Sequence, residues 1–202
     1  MTNTKIVFGL TMAALMTISI IAISTVPSVF AKPSDDEPDL IATLTAIGDH
    51  KGKGKAEFWF NDDTNPTELT YKIVFNKVDV GTELTNDEYE NLKDKNNGKG
   101  LENHIEKIHI HYAPNGVHMS EHFFNIVGPN DDDDLKIAGH TISGIWDDGD
   151  ATGHHGHSTK PFTEKLQTLC EENTDVNVHL GENKVIRGQI YKNTDVCDDL
   201  FG

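Results

Sequence analysis

The residues best suited to chemistry are histidines. The chain carries eleven of them in 202 residues, and all but His50 lie between His104 and His179. The central pair is His109 and His111, within Ile108-His109-Ile110-His111-Tyr112. On a strand, residues two apart share a face, with Cα atoms ~6.6 Å apart. Two imidazoles at that spacing can converge on one ion. Ile108 and Ile110 require the core, so His109 and His111 are expected to point away from it, toward solvent or an overlying loop.

The segment Val176-Asn177-Val178-His179-Leu180 follows the same logic. Its three apolar residues take the core face and leave His179 on the other. If the two strands are close, His109, His111 and His179 meet on the outer surface as ligands, with His118 or His122 as a fourth. Three neutral imidazoles suit zinc, copper, iron or nickel. Copper is the first expectation and zinc the second, because the affinity order favours copper where both are accessible. The alternative is a metal-free polar face of solvated histidines. A further group, His154, His155 and His157, crowds one Gly-containing loop and is a secondary metal candidate. Arg187, the sole arginine, is expected to pair in a bidentate manner with a carboxylate and lock two strands together.

Acidic loops offer a weaker signal. Residues 130–134 carry four aspartates, and Asp147, Asp148 and Asp150 share a second loop. Neither has the ligand spacing of an EF-hand, so both are expected to be solvated.

The elements that must position the histidines read as strands. Leu40, Ala42, Leu44 and Ala46 alternate, as do Ala56, Phe58 and Phe60, with Trp59 opposite. Leu69, Tyr71, Ile73 and Phe75 give the cleanest alternation. Further strands are expected at Ile105 to Tyr112, His122 to Val127, Ile137 to Trp146, Val176 to Leu180 and Val185 to Tyr191. A polar, acidic insertion spans 76–103, where Thr85 and Glu88 form a capping box for a short helix to about Lys95. A second helix, Pro161 to about Glu171, carries Phe162, Leu166 and Leu169 on one face. The sum is an all-β domain: an antiparallel, Greek-key-like β-sandwich or barrel of about eight strands with one or two short helices.

Residues 1–31 read as a secretory signal. Lys5 precedes an apolar run from Ile6 to about Val26, and Val29-Phe30-Ala31 supplies a cleavage site. An uncleaved run would instead anchor the chain in a membrane. Residues 32–39 form a polar lead-in, and the domain occupies 40–202. Loss of the signal removes one lysine and moves the formal charge from −16 to −17. Such a charge disfavours nucleic acid and anionic membrane surfaces. The mature domain is expected to be secreted or held at the cell surface without inserting into the bilayer, with any protein partner left open. Export also makes one disulfide the expectation for Cys170 and Cys197, against the alternative of two buried thiols.

Three segments together resemble the CHRD domain, the module repeated in chordin and found singly in exported microbial proteins. They are Ile108-His109-Ile110-His111 with the turn Pro114-Asn115-Gly116, Val176-Asn177-Val178-His179, and Ile186-Arg187-Gly188-Gln189-Ile190. The likeness covers most of 40–192. It departs at Tyr112-Ala113, where the family commonly has Gly-Gly, and at Asp175, where it commonly has Tyr. The resemblance implies an exported β domain and names no activity. A second likeness is to copper–zinc superoxide dismutases, whose order of H-x-H, loop His, late His and late Arg runs parallel to this chain. It implies a copper oxidoreductase with Arg187 guiding an anion, although a charge of −17 attracts anions poorly. The first expectation is therefore a non-catalytic metal-binding domain. A dismutase-like enzyme and a metal-free structural or adhesion module are the alternatives.

Overall fold

A computed structural model describes residues 37–78, 105–127, 134–150, 162–181 and 184–202. The strands are β1 (Leu40–Ile47), β2 (Lys53–Phe60), β3 (Leu69–Asn76), β4 (Ile105–Tyr112), β5 (His122–Val127), β6 (Lys136–Ala138), β7 (Thr141–Trp146), β8 (Thr174–Leu180) and β9 (Lys184–Lys192). Two short helices, α1 (Phe162–Cys170) and α2 (Val196–Phe201), and a single 3-10 turn at Pro114–Gly116 complete the described elements.

The nine strands form one sheet in the order β5-β4-β8-β9-β1-β2-β3-β7-β6. Every neighbouring pair is antiparallel. Strands β3 and β4 are consecutive in sequence yet lie on opposite sides of β1 in that order, as a Greek-key-like connection requires.

The sheet must curl strongly. Phe124 on β5 stacks on Trp146 on β7, with ring centroids 4.4 Å apart and planes 5° from parallel. Seven strand spacings separate β5 from β7 in the sheet order, which would be about 34 Å in a flat sheet. Closing that gap wraps one face around a common core. Leu40, Leu44, Phe58, Tyr71, Ile73, Ile108, Ile110, Val176, Val178 and Ile186 fill it, all fully buried. These are the residues that period-two alternation assigns to the inner face.

Three sequence expectations change in detail. Ile137 to Trp146 is a hairpin rather than one strand, because Gly139 adopts φ +61° and turns the chain between β6 and β7. Nine strands therefore replace the expected eight. The polar insertion begins later than residue 76, since Val78 packs into the core. Trp59, expected opposite the core, is nonetheless buried, so both faces are covered at that end of β2. The expected helix at 85–95, the signal and lead-in at 1–36, and the aspartate run at 130–133 lie outside the described residues.

Helix α1 lays Phe162, Leu166 and Leu169 on the core as its spacing predicts. Lys165 is buried there too, its ammonium 4.8 Å above the Phe124 ring, where a cation meets the electron-rich face. Cys170 and Cys197 form a disulfide that ties the end of α1 to α2. Among the described residues no helix is long and apolar enough to cross a membrane.

Candidate metal centre

Strand pairing assembles the histidines. His111 on β4 stands directly opposite His122 on β5. On the other side of β4, Asn177 of β8 faces His109 and Asp175 faces His111. His179 pairs with Lys107, placing it diagonally from His109. The turn after β4 brings in His118. Ring centroids lie 3.9 Å apart for His109–His122, 4.4 Å for His111–His122, 4.5 Å for His111–His118 and 5.5 Å for both His109–His111 and His109–His179.

His109, His111 and His122 form the tightest group, with one ring nitrogen from each within 4.8 Å of the others. A tetrahedral ion with bonds near 2.0–2.1 Å separates its nitrogen ligands by about 3.3 Å. Inward movement of the rings by about an ångström would close the set. His122 therefore lies inside the trio, while His179 and His118 flank it.

The centre is covered rather than displayed. His109 is 5 % exposed and His111 3 %. Of the two covers expected over this face, solvent or a loop, a loop is found over His111, while His118, His122 and His179 stay partly exposed. β4 is buried on both faces, with isoleucines on one side and histidines on the other. Alternation indicates which side a residue faces and leaves open what lies over it. Over His111 lies the 113–121 loop, where the Met119 carbonyl accepts a 2.9 Å hydrogen bond from His111 Nδ1. That bond fixes the His111 tautomer and leaves Nε2 with a lone pair for a ligand.

Burial sets the protonation of the rings. The pKa of His109 is pushed down to about 2, chiefly by burial and then by the neighbouring His122, His111 and His179. That of His111 falls to about 3, again through burial first. His122 and His179 are also lowered, with burial the main cause. These imidazoles are neutral at pH 7, the form that ligates metals. His109 Nδ1 is buried and has no hydrogen-bond partner among the described residues. A buried polar atom without a partner is costly, and it marks this ring as one held for something other than the surrounding protein groups.

Polar residues behind the rings complete the arrangement. Asp175, 2 % exposed, lies 2.9 Å from His118 Nδ1 through Oδ2 and 3.2 Å through Oδ1. This carboxylate–imidazole pair leaves His118 Nε2 directed elsewhere, an arrangement common behind metal ligands. Burial raises the pKa of Asp175, while His118 and Arg187 act against that rise. Arg187 Nε lies 3.7 Å from Asp175 Oδ2 and 3.4 Å from Asn177 Oδ1. Arg187 thus braces β9 to β8, and the expected two-pronged fork is replaced by separate contacts to a carboxylate and an amide. Sequence reasoning gave Asp175 and Asn177 no role at the site. The available signal was period two, which puts Asp175 and Asn177 on the same strand face as His179.

Other candidates stand apart. His50 Nε2 is 2.8 Å from the Val185 carbonyl on the far side of β9 from this group. His154, His155 and His157 lie outside the described residues. Asp147 and Asp150 accept hydrogen bonds from backbone N–H groups of their own turn, and the Asp150 carboxylate also acts on Lys165 of α1. Beside the centre, Arg187, Gln189 and Tyr191 on β9 and Thr43 and Thr45 on β1 line an open cleft of about 440 Å³.

No known protein family, curated protein or solved structure matches the chain.

Proposed function

We propose that this protein is an exported, CHRD-like domain that binds one transition-metal ion without turning over a substrate. The observation that carries the reading is the trio of buried His109 and His111 with half-buried His122, each offering a ring nitrogen within 4.8 Å of the others. Neutral imidazoles suit zinc, copper, nickel or iron and poorly suit calcium or magnesium, which require oxygen. Copper is the preferred ion and zinc the second. The disulfide supports an oxidising compartment, where the affinity order can operate on available copper. An ion here would cross-link β4 to β5. The anionic surface, at a formal −16, draws cations toward the domain. Arg187 is held by Asp175 and Asn177, a strut rather than a free anion guide.

The test is the metal content of purified protein, wild type against His111→Ala. About one ion per chain in the wild type and its loss in the variant is the expected result. Equal, near-zero metal in both leaves the third alternative, a metal-free structural module. A copper-loaded protein that accelerates superoxide decay would move the assignment to an oxidoreductase.

A further inference from the structure

Asn177 is buried between the rings and Arg187. Its amide nitrogen lies 3.1 Å from His179 Nε2 and, at a longer reach, 3.5 Å from His111 Nε2. Its amide oxygen lies 3.4 Å from Arg187 Nε. The chemistry of these atoms fixes every direction. Guanidinium Nε–H can only donate, so the oxygen end of Asn177 must face Arg187. The NH₂ end then faces the rings and can only donate to them. His111 Nε2 is already an acceptor, because His111 Nδ1 donates to the Met119 carbonyl. His179 Nε2 must accept as well.

The two N–H groups of one amide therefore present partial positive charge to two imidazole lone pairs. That is the role a cation would take. We propose that Asn177, held by Arg187, is a latch on the metal centre. While the site is empty it occupies the Nε2 lone pairs of His111 and His179, in competition with an ion. It also holds His179 out of the ion's coordination, so that the ion rests on His109, His111 and His122. This inference rests on reading the cluster as a metal site. An interaction made by the free protein and broken on ligation opposes binding, so its removal must strengthen binding. Asn177 acts through the histidines and is a positioning residue, not a ligand.

The experiment uses Asn177→Leu, which keeps the branched shape and removes both N–H groups, with Asn177→Ala as a second variant because leucine is the larger residue. Zinc is the probe for affinity, by competition with a chromophoric chelator. X-ray absorption then counts imidazoles around the bound zinc. The latch predicts about tenfold tighter zinc binding in the variants, the effect of one hydrogen bond lost from the free state. It also predicts a rise from three imidazoles to four as His179 joins. Nitrogen NMR of the metal-free wild type should show His179 protonated on Nδ1, with Nε2 accepting. Unchanged or weaker zinc binding with three imidazoles in a folded variant overturns the latch and leaves the metal site intact. A proton on His179 Nε2 also overturns it. A wild type that takes up no zinc or copper defeats the metal reading itself, and the latch falls with it.

Discussion

His111 and His122 face each other across the β4–β5 ladder, with ring centroids 4.4 Å apart. This pairing makes the hairpin, rather than the H-x-H motif by itself, the frame of the centre. Truncating His122 should therefore cost as much metal affinity as truncating His109 or His111. His122→Ala is expected to weaken zinc or copper binding at least 100-fold, and His179→Ala by less than tenfold, since loss of a ligand exceeds loss of an outer partner. Chelator competition on the four single variants would check the order. Near-equal losses for His122 and His179 would place the ion between β4 and β8 instead.

Asp175 should matter although it is outside the trio. Its carboxylate orients His118, whose ring packs against His111 with centroids 4.5 Å apart, so it acts on the ion only through that contact and should cost less than the roughly 10–100-fold of a partner bonded directly to a ligand. Asp175→Asn keeps the shape and removes the charge. The expected result is weaker metal binding with little change in secondary structure by circular dichroism. Unaltered affinity would make Asp175 a brace between β8 and Arg187 only.

The metal-free domain should lose stability as the pH falls below the ordinary histidine range. Folded His109 and His111 resist protonation until about pH 2 and 3, whereas the unfolded chain takes up those protons near pH 6.5. Within the window the unfolded state binds more protons, so acid favours it. The contribution is fully present above pH 6.5 and is lost progressively toward pH 3. Each such histidine costs about 1.4 kcal/mol per pH unit inside that window. Asp175 shifts in the opposite sense, so the comparison that isolates the histidines is wild type against His111→Leu. Urea midpoints measured from pH 7 to 5 should fall less steeply in the variant.

Much of this centre was legible in the chain. Alternation placed Ile108 and Ile110 inward and His109 and His111 on the opposite face, because a strand has only two faces. It did the same for His179. What alternation omits is register and cover. His122 read as an alternative fourth ligand to His118 rather than as one of the closest three, since its place opposite His111 depends on how the 113–121 loop returns the chain. Asp175 read as a departure from a familiar motif, because its partners His118 and Arg187 come from other segments. The β6–β7 turn was missed for a similar reason: Gly139 sits within an apolar run whose pattern continues on either side of it.

The disulfide should contribute to stability independently of metal. Cys170 and Cys197 are 27 residues apart, and a loop of that size is worth about 3.5 kcal/mol in the chain-entropy account. Paired replacement, Cys170→Ala with Cys197→Ala, should lower the urea midpoint accordingly. Metal affinity should stay unchanged, since neither α1 nor α2 supplies a histidine to the trio. A parallel loss of metal binding would contradict that separation.

The most direct test of the metal centre is a crystal structure of the chain grown with zinc or copper and solved at the metal's absorption edge. The account predicts a single anomalous peak bonded to ring nitrogens of His109, His111 and His122, at about 2.0–2.1 Å. A peak confined to the His154–His157 loop, or no peak with the three rings placed as described here, would contradict it.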